Sequence, residues 1–508
     1  MNRMRFNQST LCAAVSLLAF TTFAATSRPN IVLILCDDLG YGDVQCLNPE
    51  NGKIKTPCVD KLASQGMTFT DAHSGSSVCT PTRYGLLTGR YSWRTRLQES
   101  VAGAFEPCLI APDRLTVAGL LKKQGYATAI FGKWHLDLQY QDPKTGKFIP
   151  VPKGWGARSA YQAPIGTTIP DGPTTRGFDY FHGNHDAGNQ DTIIENGKVI
   201  EHQPEIRCLP NLTEKSVAYI EARAKSPEQP FFLYVPLGSP HTPILPAKEW
   251  QGKSELGPYG DFVMQTDATV GAITDALEKN GFADNTLVIF TSDNGCAKAA
   301  DIPALRKKGH HVSAHYRGSK ADSWDGGHRV PFIVRWPGKV EASSRCDQLI
   351  TLVDVFATVS EITGEKAPNM AEDSVSFLPA LSGGTIESTR KGVVHHSVTG
   401  HFAYRQGKWK LILARGSGGW TAPKEVQVAG DAPPAQLYDM EEDPSEKNNL
   451  YLTHPEVAQR LLANLTADVQ NGRSTDGPEA KNDVEDIILW KSGQPGTPWK
   501  TKWNKSRR

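Results

Sequence analysis

The chain has 508 residues, 39% of them hydrophobic and 21% charged, enough for a large packed domain plus a smaller one, which excludes a disordered protein. Its 55 basic and 54 acidic side chains leave a formal charge of +1, so no field of one sign recruits nucleic acid and any anion site must be local.

Residues 1–25 carry Arg3 and Arg5, then an apolar run from Leu11 to Phe23, then Ala24 and Ala25, the pattern of a cleaved signal peptide. That run falls short of the ~20 apolar residues that span a bilayer, and no later segment is long and apolar enough to cross one. An exported protein, periplasmic or extracellular, is therefore expected. Of nine cysteines, Cys12 leaves with the signal. The spacing of Cys46 and Cys58 permits a bridge in an exported protein, Cys36 reads as a buried small hydrophobe, and nothing has zinc-site spacing.

Short β-branched runs from Ile31 to Leu35, Ala127 to Phe131, Phe231 to Leu237, Thr286 to Thr291 and Pro331 to Arg335 predict strands. They alternate with helical stretches such as Asn211 to Lys225 and Phe262 to Asn280, which predicts an α/β protein with a large sheet sandwiched by helices. From about Val393 the texture changes. Gly392 to Ser397, Phe402 to Arg405 and Lys408 to Leu413 predict short antiparallel strands, and His454 to Gln470 a closing helix. Leu381-Ser382-Gly383-Gly384 reads as a connection between a catalytic domain over 26–385 and an α+β subdomain over 386–475, with an extended surface tail over 476–508. No internal repeat is present.

In open α/β sheets ligands gather beyond the carboxyl ends of strands, so the residues after each run are candidates. Asp37 and Asp38 follow the first run, and Asp293 and Asn294 follow that ending at Thr291. Alone, an Asp after a strand is more often a helix cap or turn residue; two pairs together make a hard-oxygen set suited to Ca²⁺, or less well Mg²⁺, rather than zinc. Gly132-Lys133-Trp134-His135 follows the run ending at Phe131, and Ser239-Pro240-His241-Thr242-Pro243 that ending at Leu237. Arg317-Gly318-Ser319-Lys320 precedes Trp324-Asp325-Gly326-Gly327-His328-Arg329-Val330-Pro331. Cys79-Thr80-Pro81-Thr82-Arg83 places a lone cysteine in a context that an ordinary thiol does not need.

These segments, in this order over residues 28–340, resemble the motif set of the type I sulfatases within the alkaline phosphatase superfamily, and Leu437-Tyr438-Asp439 with Asp443-Pro444 resembles that family's C-terminal subdomain. The resemblance implies that Cys79 is oxidised to formylglycine by a maturation enzyme. It implies that Asp37, Asp38, Asp293 and Asn294, with residue 79, hold Ca²⁺, and that Arg83 and Lys133 orient the aldehyde hydrate. It also makes His135 the base for the second step, and gives His241 and Lys320 the sulfate and the leaving oxygen. Asp137 stands where Gly is more usual, Asp325 replaces the commoner Glu, and a sulfate-contacting serine has no counterpart in Phe181 to Asp186.

The activity implied is sulfate-ester hydrolysis on a sulfated carbohydrate. The long N-terminal region resembles bacterial exo-acting sulfatases of the N-acetylgalactosamine-6-sulfatase type, which favours a 6-O-sulfated galactose or N-acetylgalactosamine. Candidate rim residues are Trp155, Tyr161, His185, Trp250, His310, His311, His315 and Trp420. The alternatives are a phosphomonoester or phosphonate monoester hydrolase on the same scaffold, and a noncatalytic glycan-binding protein in which Cys79 stays a thiol.

Overall fold

Ten strands form one mixed sheet in a computed structural model that describes residues 28–492 apart from 104 and 367. The expected signal segment and the last part of the tail lie outside the described residues. In chain order the strands are β1 (Asn30–Asp37), β2 (Met67–Phe69), β3 (Ala127–Lys133), β4 (Tyr180–Asn184) and β5 (Thr192–Glu195). They continue with β6 (Lys198–His202), β7 (Phe231–Pro240), β8 (Thr286–Ser292), β9 (Phe332–Arg335) and β10 (Ser344–Cys346). Across the sheet the order is β10-β2-β9-β8-β1-β7-β3-β4-β5-β6. The central five, from β8 to β4, are mutually parallel, so their carboxyl ends share one edge.

The central strand β1 is buried along its whole length. Ile31, Leu33 and Leu35 enter one core and Val32, Ile34 and Cys36 the other, because successive strand side chains point to opposite faces. This is why the run reads as continuously apolar rather than alternating. Helix α1 (Cys79–Thr88) contributes Tyr84, Leu86 and Leu87 to the first core. Helices α2 (Cys208–Arg223) and α3 (Pro258–Lys279) cover the second. On α3, Phe262, Val263, Val270, Ile273 and Leu277 recur at helical spacing and are buried there.

A separate antiparallel sheet follows, with β11 (Val393–His396), β12 (Phe402–Gln406), β13 (Trp409–Ile412) and β14 (Gln436–Asp439) in sequential order. Val457, Leu461 and Leu465 of helix α4 (Pro455–Gln470) share a core with Val394, Tyr404, Leu411 and Leu437 of these strands. Tyr91, Trp93 and Val353 of the first domain join that core, so the two units pack as one body.

A buried polar chain stitches the same seam. Lys410 Nζ lies 2.7 Å from both Asp325 Oδ1 and Glu446 Oε1 and 3.1 Å from His328 Nε2. His328 Nδ1 is 3.0 Å from His73 Nδ1, and His73 Nε2 is 2.8 Å from Asp71. One tautomer set satisfies every link: Lys410 donates to His328 Nε2, His328 Nδ1–H donates to His73 Nδ1, and His73 Nε2–H donates to Asp71.

All cysteines among the described residues are free, so the bridge that the spacing of Cys46 and Cys58 permits is not formed. Separate carboxylates hold the two backbones: Cys46 N–H donates to Asp60 and Cys58 N–H to Asp267, each at 3.1 Å.

Candidate active site

Strands β1 and β8 are neighbours in a register that pairs Cys36 with Ser292. The residues that follow, Asp37-Asp38 and Asp293-Asn294, therefore emerge side by side at the carboxyl edge. Lys133 ends β3 and His241 follows β7, so both join the same edge. Gly132 lets β3 and β7 close there, because a Cβ would sit 2.0 Å from the carbonyl oxygen of Pro236.

Cys79 opens helix α1, where the positive end of the helix dipole favours negative charge. Pro81 lies in the first turn, where its missing N–H loses no intrahelical bond. Arg83 is four residues on and hence on the same helix face as Cys79, which is the physical content of the spacing. Its Nη2 and Nε donate to Asp293 Oδ2 at 2.7 and 3.1 Å, and its Nη1 donates to the Lys133 carbonyl at 3.1 Å.

The other cations reach the same carboxylates. Lys133 Nζ is 2.5 Å from Asp37 Oδ2, Lys320 Nζ is 2.5 Å from Asp38 Oδ1, and Asn294 Nδ2 donates to Asp38 Oδ1 at 2.7 Å. Three carboxylates thus meet three cations. Yet Asp37 Oδ1, Asp38 Oδ2 and Asn294 Oδ1 are buried without a hydrogen-bond partner. Converging orphan oxygens of this kind fit a hard divalent cation.

Burial alone would raise the Asp37 carboxyl, but Lys133, then His241 and Arg83, hold it well below the usual carboxylate range. Burial and the charge of Asp37 push Asp293 up to about 7. The carboxylates of Asp37 and Asp293 therefore repel each other, and a cation bound between them would relieve that repulsion.

His135 is held far below its ordinary value by burial and then by Lys133, so it is neutral. Its Nε2 lies 3.2 Å from the Ala102 carbonyl and takes the proton of that bond, which leaves buried Nδ1 as a free acceptor. His241 Nδ1 donates to the Thr242 carbonyl at 2.6 Å and Nε2 lies 3.5 Å from Asp38 Oδ2. Its side chain is 22% exposed, whereas those of Arg83, Lys133 and Asp37 are fully buried, so the mouth of the site opens at His241.

The region from Phe181 to Asp186, left without a role by the motif comparison, is β4 and its end. The carbonyls of Asn184 and His185 accept from the backbone N–H groups of Trp134 and His135 at 3.1 and 2.7 Å, which fixes the His135 loop. Both His135 and Asp38 adopt left-handed backbone, at φ 54° and 65°, strain typical of residues placed for function. Asp137 is buried and 3.1 Å from Arg96.

Two rim expectations are corrected. His310 is fully buried because it bridges Asp43 at 2.8 Å and the Lys53 N–H at 3.0 Å. His185 is also fully buried, with its ring centroid 6.1 Å from that of His135. Tyr161, Trp250 and His311 are half-buried, His315 and Trp420 are exposed, and the side chain of Trp155 lies outside the described residues.

A cysteine at a helix start, three buried cations and an oxygen pocket at one sheet edge define a hydrolase of tetrahedral oxyanion esters on an alkaline phosphatase-like α/β fold. The family model described as "Sulfatase" matches residues 29–365, and that described as "N-sulphoglucosamine sulphohydrolase, C-terminal" matches residues 320–474. The chain belongs to the sulfatase family and is a sulfuric ester hydrolase. It is 33% identical to an N-acetylgalactosamine-6-O-sulfatase of Bacteroides thetaiotaomicron, over 86% of this chain and 92% of that protein. It is 32% identical to human arylsulfatase A, over 94% and 96% of the two chains. A solved structure from work on glycosaminoglycan metabolism by Bacteroides thetaiotaomicron superposes with a TM-score of 0.74 at 30% identity, covering 87% of this chain and 99% of that one. The phosphonate monoester hydrolase of Agrobacterium radiobacter shares the fold, with a TM-score of 0.54 at 17% identity over 87% and 95% of the two chains.

Proposed function

We propose that this protein is an exported bacterial sulfatase that removes the 6-O-sulfate from a galactose or N-acetylgalactosamine end of a sulfated glycan, with Cys79 matured to formylglycine and one Ca²⁺ held by Asp37, Asp38, Asp293 and Asn294. The observation that carries the reading is the position of Cys79, whose sulfur lies within 4.8 Å of carboxylate oxygens of Asp37 and Asp293. The 33% identity to a bacterial N-acetylgalactosamine-6-O-sulfatase supports the sugar class. Cys79 is only 3% exposed in the fold, which supports its oxidation by a formylglycine-generating enzyme before folding.

When present, the aldehyde hydrate supplies the nucleophilic oxygen and the cation offsets charge on the ester. The protein does the rest with fixed groups. Arg83 and Lys133, locked by Asp293 and Asp37, hold residue 79 among fixed, buried charges. Lys320 stands over Asp38, placed to receive a nonbridging sulfate oxygen. Neutral His135 accepts a proton at Nδ1. His241 is the acid for the leaving oxygen. Burial holds it below its ordinary value in the free site, and the negative charge of a bound ester draws a proton onto Nε2.

A panel of position-defined sulfated monosaccharides, with matched phosphate esters, tests the reading. Sulfate release from 6-O-sulfated galactose or N-acetylgalactosamine is expected, with phosphate esters far slower. Release only from other positions would refute the sugar assignment.

A further inference from the structure

A cleft of about 680 Å³ lies apart from the residues just described, between the segment from Arg306 to Arg317 and the turn at Ser445 to Lys447. That is the size of a small-molecule pocket, which typically spans ~300–1,000 Å³. Arg306, Arg317, Lys447, His311 and His315 line it, and no carboxylate does. Among the described residues neither arginine nor Lys447 forms an ion pair with a carboxylate, although acidic and basic groups balance over the whole chain.

The cleft is partly preorganised. The Arg317 guanidinium lies 3.6 Å over the Trp324 ring and donates to the Glu446 carbonyl at 2.6 Å, so its planar fork is held in one orientation. Burial and then Arg306 hold His311 below its ordinary value, and burial and then Arg329 do the same to His315; near neutral pH both offer uncharged hydrogen-bonding rings. The His315 and Tyr316 rings lie 4.1 Å apart at an interplanar angle of 39° and add aromatic surface to the cleft wall. Arg317 is three residues before Lys320, so the two Cα atoms are at most about 11 Å apart.

We propose that this cleft is an accessory site for an anionic oligosaccharide, binding a sulfate or carboxylate of a sugar residue other than the one being hydrolysed; this rests on the sulfated-glycan reading above. The chemistry favours a carbohydrate over nucleic acid, because 55 basic against 54 acidic side chains leave the chain without the excess positive charge that nucleic-acid binding draws on.

The test is the double variant Arg306→Glu/Lys447→Glu, both exposed positions outside the catalytic set. Native gels cast with a 6-O-sulfated galactan, or with its desulfated form, report binding independently of turnover. Wild-type enzyme should be retarded by the sulfated polymer only, and the variant should bind about tenfold more weakly, 1.4 kcal/mol. The KM for a sulfated oligosaccharide should rise by a similar factor, while kcat/KM on a sulfated monosaccharide and the melting temperature stay unchanged. Equal retardation of variant and wild type, equal retardation by the desulfated polymer, or equal affinity for single-stranded DNA would each overturn the proposal. Wild-type enzyme that is retarded as expected but releases no sulfate from any sugar would support the cleft while refuting the catalytic reading.

Discussion

Removing the proposed cation is the most direct perturbation of the oxygen pocket. Asp37 Oδ1, Asp38 Oδ2 and Asn294 Oδ1 are buried without partners. Each unsatisfied buried polar group costs about 1–3 kcal/mol, so the trio costs on the order of 3–9 kcal/mol in cation-free protein. A ligand present at a hundred times its Kd stabilises the fold by about 2.7 kcal/mol, close to the lower end of that range. A loss of about 3 kcal/mol corresponds to a fall in Tm of roughly 5 °C in a large domain. Scanning calorimetry with and without exhaustive EGTA treatment, paired with a sulfate-release assay, measures both consequences. Tm and turnover should fall together, and Ca²⁺ should restore both. Zn²⁺ should not, because the donor set has no nitrogen beyond the partly exposed His241. Asp38→Asn should shrink the chelator-induced shift and abolish most turnover. If chelation leaves both Tm and activity unchanged, the site assignment is wrong.

Three further outcomes are expected. Active enzyme should carry an aldehyde at position 79, giving a peptide lighter than the thiol form that reacts with hydrazides; full activity from protein holding only the thiol would refute this. His241→Ala should impair sugar sulfates far more than activated aryl sulfates, whose phenolate leaves without a proton, whereas His135→Ala should release one burst of alcohol and then stall; single-turnover kinetics distinguish the two. Lys410→Met leaves Asp325 and Glu446 without their shared cation and should cost about 3–5 kcal/mol in urea unfolding. Burial, opposed by Lys410 and reinforced by Asp325, pushes Glu446 up to about 7. Its unfolded value is about 4.3, so the stability it contributes is full below that pH and lost as pH rises through about 7. Glu446→Gln should therefore flatten the stability profile over that interval.

What could be read from the chain follows from how local each signal is. Strand-end acids and the Cys79/Arg83 pair were legible because strand ends converge at a sheet edge and a four-residue step returns to one helix face. The three-residue strands β2 and β10 carry no such signal; they exist because β9 is there to pair with β2. The hairpin of β5 and β6 went unpredicted although its turn is Asn196-Gly197, with φ of 46° and 83°, a strong hairpin signal. The His73 and His328 contact joins residues 255 apart in sequence and was out of reach of any spacing argument.

The segment Trp324 to Pro331 shows how a motif can be recognised without its task being visible. In the sequence its Asp325 stands out only as replacing the commoner Glu. In the structure Asp325 accepts from Lys410 at 2.7 Å and from Arg329 Nε at 2.9 Å, facing the seam and not the catalytic pocket. The backbone of the motif is what reaches the catalytic edge. Gly295 N–H donates to the Gly327 carbonyl at 3.0 Å and Gly326 N–H to the Arg317 carbonyl at 2.7 Å. A Cβ on Gly295 would lie 1.9 Å from the Gly326 carbonyl oxygen, so the approach requires glycine. These contacts set the positions of Asn294 on one side and of the Arg317 to Lys320 loop on the other. Asp325 and Lys410 are therefore expected to act on catalysis by positioning. Lys410→Met should lower kcat on sulfated monosaccharides through displacement of Lys320, with calcium affinity reduced in parallel through Asn294. A variant that loses stability yet keeps wild-type kcat and calcium affinity at low temperature would break that link.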